Sequence, residues 1–179
     1  MESLFSKDYF QLFNFPAVYD IDREVLTHRY RDMQGLIHPD RFVNATEKER
    51  RISVQLTALI NEAYNVLKSP LARARYLLQL RGVDIDDSVT SKDIAFLTEQ
   101  IELRERLGEA QSADSPERAL MQLASELQKR LSGLQLALEE AFEDASAEAL
   151  VKAHRLYDEM QFISRLNDEL DEIEDAFNY

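Results

Sequence analysis

Two amphipathic segments between Ile21 and Leu67 constrain the fold of this chain more than any other feature of its sequence. In the first, apolar side chains recur in steps of four, three and four residues, which places them on one face of an α-helix: Leu26, Tyr30, Met33 and Ile37. In the second, the apolar side chains again share one face: Ile52, Leu56, Leu59, Ile60, Ala63 and Leu67. Two such helices in succession predict an antiparallel hairpin that buries a common seam and exposes the connecting turn.

Capping signals define the ends of these helices. Asp22 is placed to cap the first helix. Pro39 ends it, because proline has no N–H to donate and disfavours helical dihedral angles at the residue before it. Thr46, followed three residues later by Glu49, forms a capping-box pattern at the start of the second helix.

The predicted turn has the sequence His38-Pro39-Asp40-Arg41, and the helix before it is basic. Arg29 and Arg31 lie off the apolar face, so we expect both to face solvent and to form a docking edge for an acidic partner. A simpler interpretation of the turn is a helix stop followed by a capping aspartate. A metal site is not expected, because no further His or Cys accompanies His38 and Asp40 at ligand spacing.

Three motifs follow one another in the order typical of a J-domain: Tyr9-Phe10-x-Leu12-Phe13, His38-Pro39-Asp40-Arg41-Phe42 and Ile60-Asn61-Glu62-Ala63-Tyr64-x-x-Leu67. Residues 1–80 therefore resemble the J-domain of the DnaJ family. The resemblance implies that an ATPase chaperone binds to the turn and the basic helix face, through His38, Pro39, Asp40, Arg29, Arg31 and Arg41. It also implies that ATP hydrolysis belongs to that partner.

Composition excludes several classes of function. The 179 residues include no cysteine, which rules out disulfides and thiolate ligands. The three histidines, His28, His38 and His154, lie on separate segments, and no glycine-rich phosphate loop is present, so we predict no enzyme and no cofactor. No apolar run reaches the length of a membrane span, and the first residues form no signal peptide. A cytoplasmic protein without membrane contact is expected.

Charge is divided unevenly along the chain. Residues 1–76 hold 11 basic and 10 acidic side chains, a formal charge of +1, whereas residues 77–179 hold 10 and 24, a formal charge of −14. An acidic second half argues against nucleic acid and anionic membranes as partners, because both require a basic surface. It favours a protein partner with a basic patch.

The remaining sequence predicts a second helical domain. Pro70 begins a short helix that Arg81-Gly82 ends, and residues 81–90, which lack helical periodicity, form the expected linker. Three helical segments follow within 91–179: Asp93 to about Glu109, capped by Ser91 and interrupted at Gly108; a second begun by Ser115-Pro116; and about Ala147 to Phe177. Short connections between long helices predict an antiparallel three-helix bundle. The fold class is therefore all-α, a J-domain hairpin with flanking helices followed by this bundle.

The first helix of the bundle carries two apolar stripes rather than one. At about 100° per residue, Phe96, Leu103 and Leu107 form one stripe, and Ile94, Leu97 and Ile101 form the other. Splaying of the helix at the edge of the bundle would bury both stripes. Alternatively the second stripe stays exposed, because carboxylates border it, as in a surface for a partner with an apolar centre and a basic rim. On the third helix, Phe162 lies off the core direction and is expected beside this surface.

The segment Phe96-Leu97-x-Glu99-Gln100-x-Glu102-Leu103-Arg104-Glu105, taken with the J-domain motifs, resembles the HscB family, the J-type co-chaperones of iron–sulfur cluster assembly. The resemblance covers nearly the whole chain. It implies two partners, an HscA-type ATPase chaperone and an IscU-type scaffold protein, and it implies that the scaffold binds Leu97, Ile101, Glu102, Glu105, Glu109 and Phe162. Thr98 departs from the larger apolar residue expected there, and Gly108 is unexpected inside a helix.

Other functions remain open on the sequence. A J-domain protein for a different client would share the hairpin but not the acid-bordered helix, and a plain helical adaptor would have no chaperone partner. The leucine-rich second helix of the bundle is either wholly consumed by packing or partly free for self-association. A monomer is expected.

Overall fold

The computed structural model describes residues 4–37, 46–85 and 94–177, and within these ranges the regular structure is helical throughout, with seven α-helices and no strand. The chain separates into two compact units, Met1–Arg81 and Gly82–Tyr179. The predicted all-α class is confirmed. In the described part of the chain, no helix has both the length and the apolar character needed to cross a membrane.

The first unit contains the predicted hairpin and two flanking helices: α1 (Tyr9–Leu12), α2 (Arg23–Ile37), α3 (Glu47–Lys68) and α4 (Pro70–Leu80). Helix α3 packs against the other three. Its apolar face is buried together with Leu26 of α2 and with aromatic side chains from the start of the chain, notably Phe10 and Phe13. This aromatic segment therefore belongs to the core of the hairpin unit.

Polar contacts of Tyr9 and Tyr76 complete the packing between α1, α3 and α4. The two rings stack with centroids 4.4 Å apart, and the Tyr76 hydroxyl accepts a hydrogen bond from the backbone N–H of Tyr9 at 3.1 Å. Tyr9 in turn donates its hydroxyl to Glu62 Oε1 at 2.8 Å. Partial burial, with a further contribution from this hydrogen bond, raises the pKa of Tyr9 to about 12.

The predicted caps of the hairpin are present. Asp22 Oδ1 accepts hydrogen bonds from the N–H groups of Glu24 and Val25 at 2.9 and 3.0 Å. Thr46 and Glu49 form a reciprocal capping box at the start of α3. These interactions satisfy N–H groups that a helix leaves without intrahelical partners.

The second unit is the predicted three-helix arrangement: α5 (Ile94–Gln111), α6 (Pro116–Glu143) and α7 (Ala147–Phe177). The core of this unit contains apolar side chains of α6 and α7, among them Leu127, Leu138, Tyr157, Ile163 and Leu170. Ala124, Leu131, Leu150 and Ile173 are only half-buried. The three-residue connection between α6 and α7 makes these helices antiparallel neighbours.

Two details of the second unit differ from the prediction. Gly108 does not interrupt α5, which continues to Gln111, because a single glycine costs a helix only about 1 kcal/mol and the buried Leu107 and Ala110 hold this turn in place. Ser115 precedes α6 but makes no side-chain capping hydrogen bond. Pro116 at the first helical position has no N–H, which leaves one group fewer to satisfy at the start of α6. The expected cap Ser91 lies outside the described residues.

Candidate partner-binding surfaces

The predicted chaperone-binding turn, His38-Pro39-Asp40-Arg41, lies outside the described residues. The structure does describe both helices that lead into and out of it, to Ile37 in α2 and from Glu47 in α3. Ile37, the residue before the predicted turn, is the last residue of α2.

A hydrogen bond from a buried hydroxyl group connects the C-terminal end of α2 to α3. Ser53 on α3 is 0% exposed, and its Oγ donates a hydrogen bond to the carbonyl oxygen of Ile37 at 2.6 Å. Ile37 is the last residue of α2 and directly precedes His38. The carbonyls at a helix C-terminus lack intrahelical partners, so Ser53 satisfies a buried acceptor beside the predicted functional turn.

Ser53 is not among the predicted site residues, although the sequence contains a signal for it. Ser53 lies three residues before Leu56 and seven before Ile60, so it belongs to the apolar face of α3. A hydroxyl at a core position of an amphipathic helix requires a buried hydrogen-bond partner, and the end of the neighbouring helix provides one.

Further along the hairpin, two tyrosines and an amide form a polar seam. The rings of Tyr30 and Tyr64 stack with centroids 4.0 Å apart and an interplanar angle of 12°. Tyr30 donates its hydroxyl to Asn61 Oδ1 at 2.9 Å, and Gln34 Nε2 donates to the same oxygen at 3.3 Å. These contacts fix the register of α2 against α3, because each group has its partner only at this alignment.

The prediction that Arg29 faces solvent is wrong. Its Nη1 donates hydrogen bonds to the carbonyl oxygens of Phe13 and Asn14, both at 2.8 Å, and its guanidinium lies 4.5 Å from the centroid of the Phe15 ring. The long side chain reaches back across the unit because these carbonyls, after the short helix α1, need donors. Arg31 is exposed, as predicted.

On the second unit, the second apolar stripe of α5 is largely exposed. Ile94 is 78% exposed and Ile101 is 59% exposed, whereas Leu97 is half-buried. The first stripe faces the bundle, with Leu103 and Leu107 buried. Of the two interpretations of this helix, the structure therefore favours an open apolar surface.

Polar side chains border this stripe. Glu102, Glu105 and Glu109 are all exposed on α5, and at about 100° per residue they follow one edge of the stripe. Thr98 is also exposed, and its hydroxyl donates to the carbonyl oxygen of Ile94 at 2.9 Å. The resulting surface has an apolar centre and an anionic rim.

Phe162 of α7 is half-buried against α5. Its ring meets that of Phe96 edge to face, with centroids 6.2 Å apart and an interplanar angle of 85°. The guanidinium of Arg104 lies 6.0 Å from the centroid of the Phe162 ring. Phe162 therefore packs against α5 through Phe96, a residue of the first stripe. Its place beside the second stripe stays a prediction.

In the ranges that the structure describes, no group of three or more His, Cys, Asp or Glu side chains is arranged to hold a metal ion. The described surfaces consist of helical faces and their ion pairs. Their chemistry suits contact with other proteins.

These features define a class of two-unit helical proteins with a hairpin unit and an acid-rimmed bundle. Two known co-chaperones resemble the chain over most of its length. The "Co-chaperone protein HscB homolog" of Shewanella loihica is 37% identical over 170 residues, covering 94% of this chain and 98% of the relative. The crystal structure of human co-chaperone protein HscB matches with a TM-score of 0.84 and 30% identity, over 93% of this chain and 81% of the human chain.

The particular family follows from two further matches. Chaperone HscB from Vibrio cholerae superposes with a TM-score of 0.86 and 33% identity, over 96% of this chain and 99% of that chain. Residues 92–171 match the family model described as the HSCB C-terminal oligomerisation domain. The chain belongs to the HscB co-chaperone family.

Proposed function

We propose that this protein is a cytoplasmic co-chaperone that brings an IscU-type iron–sulfur scaffold protein to an HscA-type ATPase chaperone and stimulates ATP hydrolysis there. The observation that carries the proposal is the exposed, acid-rimmed apolar stripe of α5 in a chain that matches the HscB family over nearly its whole length. The protein itself supplies binding surfaces, and the chaperone supplies the hydrolytic chemistry.

The scaffold-binding surface of this proposal consists of Leu97, Ile101, Glu102, Glu105, Glu109 and Phe162. Its exposed apolar centre would be buried on binding, which releases about 25 cal/mol for each Å² removed from water. Its carboxylates would face a basic rim on the scaffold, and such complementarity speeds association and excludes wrong partners. The cluster is cargo on the scaffold in this scheme, so this chain needs no metal ligands of its own.

The chaperone-binding surface comprises the His38-Pro39-Asp40-Arg41 turn with the exposed Arg31. Asp40 is the key polar group in this scheme, pairing with a basic group of the chaperone. Arg29, given its contacts with Phe13 and Asn14, contributes by holding α2 in place.

Two variants separate the two surfaces. Asp40→Asn should abolish stimulation of the chaperone ATPase while leaving the calorimetric affinity for the scaffold unchanged. Leu97→Ala with Ile101→Ala should weaken scaffold binding at least about tenfold, equivalent to 1.4 kcal/mol, and leave stimulation without scaffold intact. Stimulation by Asp40→Asn at the wild-type level would refute the chaperone assignment.

The client is tested separately. The wild-type protein should bind a purified IscU-type scaffold and should not bind a reduced, unfolded client unrelated to iron–sulfur proteins. Leu97→Ala combined with Phe162→Ala should also weaken scaffold binding, but Phe162 packs against Phe96, so its loss perturbs the bundle as well. The Leu97 and Ile101 pair is therefore the cleaner test. Equal binding of both clients would contradict the proposed specificity.

A further inference from the structure

The two halves of α5 are held to the bundle in different ways. In its C-terminal half, Leu103, Leu107 and Ala110 are buried. In its N-terminal half, no residue from 94 to 102 is fully buried. Because full burial is confined to the C-terminal half, the placement of the stripe that contains Leu97 and Ile101 depends on contacts at the edge of the core, among them that of Phe96 with Phe162.

One such contact is an ion-pair network centred on Arg130 of α6. Arg130 donates from Nε and Nη2 to Glu159 Oε1 of α7, at 2.9 and 2.6 Å. The same Nη2 lies 2.7 Å from Glu99 Oε2 of α5. One guanidinium therefore joins all three helices of the unit, and its link to α5 falls within the half that lacks buried residues.

Glu99 is well placed to set the rotation of α5. It lies two residues after Leu97 and two residues before Ile101, about 200° around the helix from each. When Glu99 is held against α6, the stripe must face away from the bundle. The hydrogen bond to Glu99, with those to Glu159, raises the pKa of Arg130 above its ordinary value, so the network keeps its charge.

From this geometry we propose that Arg130 is a positioning residue for the scaffold-binding surface. It holds the N-terminal half of α5 against α6 and α7 through Glu99 and Glu159, and so presents the stripe in a fixed orientation. Pre-organisation of a binding surface improves affinity because less conformational freedom is lost on association. The inference rests on the proposed function, since it assigns the scaffold to this surface.

A second ion pair on the same helix provides a matched control. Arg106 of α5 donates from Nη1 and Nη2 to the two carboxylate oxygens of Glu126 on α6, at 2.8 and 2.6 Å. Those side chains are 45% and 55% exposed, whereas that of Arg130 is 26% exposed. The Arg106 pair lies beside the buried half of α5, where apolar packing already fixes the helix, so its loss should not move the stripe.

The test compares Arg130→Met with Arg106→Met. Both variants remove one positive charge from the acidic unit and keep an aliphatic side chain. Arg130→Met should weaken calorimetric binding of a purified IscU-type scaffold about three- to tenfold and should speed amide hydrogen exchange at residues 95–101. Arg106→Met should change affinity less than about twofold and leave exchange at 95–101 unchanged. Glu99→Ala, which keeps the Arg130–Glu159 pair, should act like Arg130→Met.

These outcomes distinguish the positioning role from the proposed function. If the wild-type protein does not bind the scaffold, the proposed function fails, and faster exchange at 95–101 in Arg130→Met still decides whether Arg130 holds α5. If the wild-type protein binds but Arg130→Met and Arg106→Met have equal affinity and equal exchange, the positioning role is refuted. If Arg130→Met does not fold, Glu99→Ala with Glu126→Ala as its control gives the same decision.

Discussion

At the scale of single residues, the end of α2, next to the predicted His-Pro-Asp turn, depends on one buried hydroxyl. Removing Ser53 Oγ would leave the carbonyl oxygen of Ile37 without this donor in a site that water does not reach, because Ser53 is fully buried. An unsatisfied buried acceptor costs about 1–3 kcal/mol. We therefore expect Ser53→Ala to lower the free energy of unfolding of the first unit by that amount.

Thr57 supplies the matched control for this prediction. Its hydroxyl donates to the carbonyl oxygen of Ser53, within α3 itself, at 2.9 Å. That carbonyl keeps its helical N–H partner when the hydroxyl is removed, so Thr57→Val should change stability by less than about 0.5 kcal/mol. Urea unfolding followed by tyrosine fluorescence suits both variants, since five of the seven tyrosines precede residue 81. Equal midpoints for Ser53→Ala and wild type would contradict the role of Ser53.

Arg29 and Arg31 should separate structural and partner-binding roles on one helix. Arg29→Met loses two hydrogen bonds to carbonyl oxygens and a cation–π contact with Phe15, and we expect a loss of about 1–3 kcal/mol in unfolding free energy. Arg31 is exposed, so Arg31→Met should stay within about 0.5 kcal/mol of wild type. In the proposed function it should instead weaken binding to the chaperone. Chemical denaturation and a chaperone ATPase titration measure the two effects, and a reversed pattern would show that Arg29 is the contact residue.

Thr46, Glu49 and Arg29 show which contacts can be predicted from the sequence and which cannot. The Thr46–Glu49 capping box was predictable because both partners lie on one local stretch of chain. The contacts of Arg29 reach carbonyls 15 and 16 residues away, and periodicity only places a side chain on a helix face. A long side chain can fold back from that face toward unsatisfied acceptors, so exposure of arginine is poorly determined by the helical wheel.

At the scale of elements, helix periodicity and short connections were sufficient to predict the order of the helices and most of their ends. The exception is the end of α5. Gly108 was expected to interrupt α5, but buried residues on either side, Leu107 and Ala110, hold the helix through it. Intrinsic propensity is a weak preference that tertiary packing overrides, and packing partners of α5 were not identifiable from its own sequence.

Gly108 should therefore be a site where stability can be gained. It is exposed, and a Cβ added there would meet no atom within 4 Å. Gly108→Ala should raise the stability of the second unit by about 0.5–1 kcal/mol, because alanine loses less conformational entropy on forming a helix. Amide hydrogen exchange along α5 would report the gain. Faster exchange in the variant would mean that this turn of α5 is strained.

Gly82 is the contrasting position. It follows α4 with φ of +80°, and a Cβ there would also meet nothing within 4 Å. Gly82→Ala should therefore lower the free energy of unfolding only through the backbone. A left-handed conformation costs a residue with a Cβ about 1–2 kcal/mol. Opposite signs for the two substitutions are expected. Equal effects would show that the helix context of Gly108 is not what determines its response.

At the scale of the whole molecule, the proposed function requires that both surfaces belong to one chain. The charge asymmetry agrees with this division, since the hairpin half is nearly neutral and the bundle half is strongly acidic, so the two halves suit chemically different partners. A tether raises the effective concentration of one partner at the other, commonly to the millimolar range. Two separate proteins at low concentration do not have this increase in effective concentration.

A mixing experiment tests this requirement directly. Asp40→Asn retains the proposed scaffold-binding surface, and the Leu97→Ala, Ile101→Ala variant retains the proposed chaperone-binding residues. Each mutant has one functional site. Mixed at submicromolar concentration with scaffold and chaperone, they should give only the ATPase rate of the Leu97, Ile101 variant alone. Tethering raises the overall binding strength about 10²- to 10⁴-fold, and free proteins lack this gain.

The dependence on concentration decides the interpretation of that mixture. Raising the scaffold toward the millimolar effective concentration of a tether should progressively recover the rate. Wild-type protein should show no such dependence once its sites are filled. If the mixture matches wild type at submicromolar concentration, the two surfaces act independently, and joining them in one chain would then serve some purpose other than delivery of the scaffold.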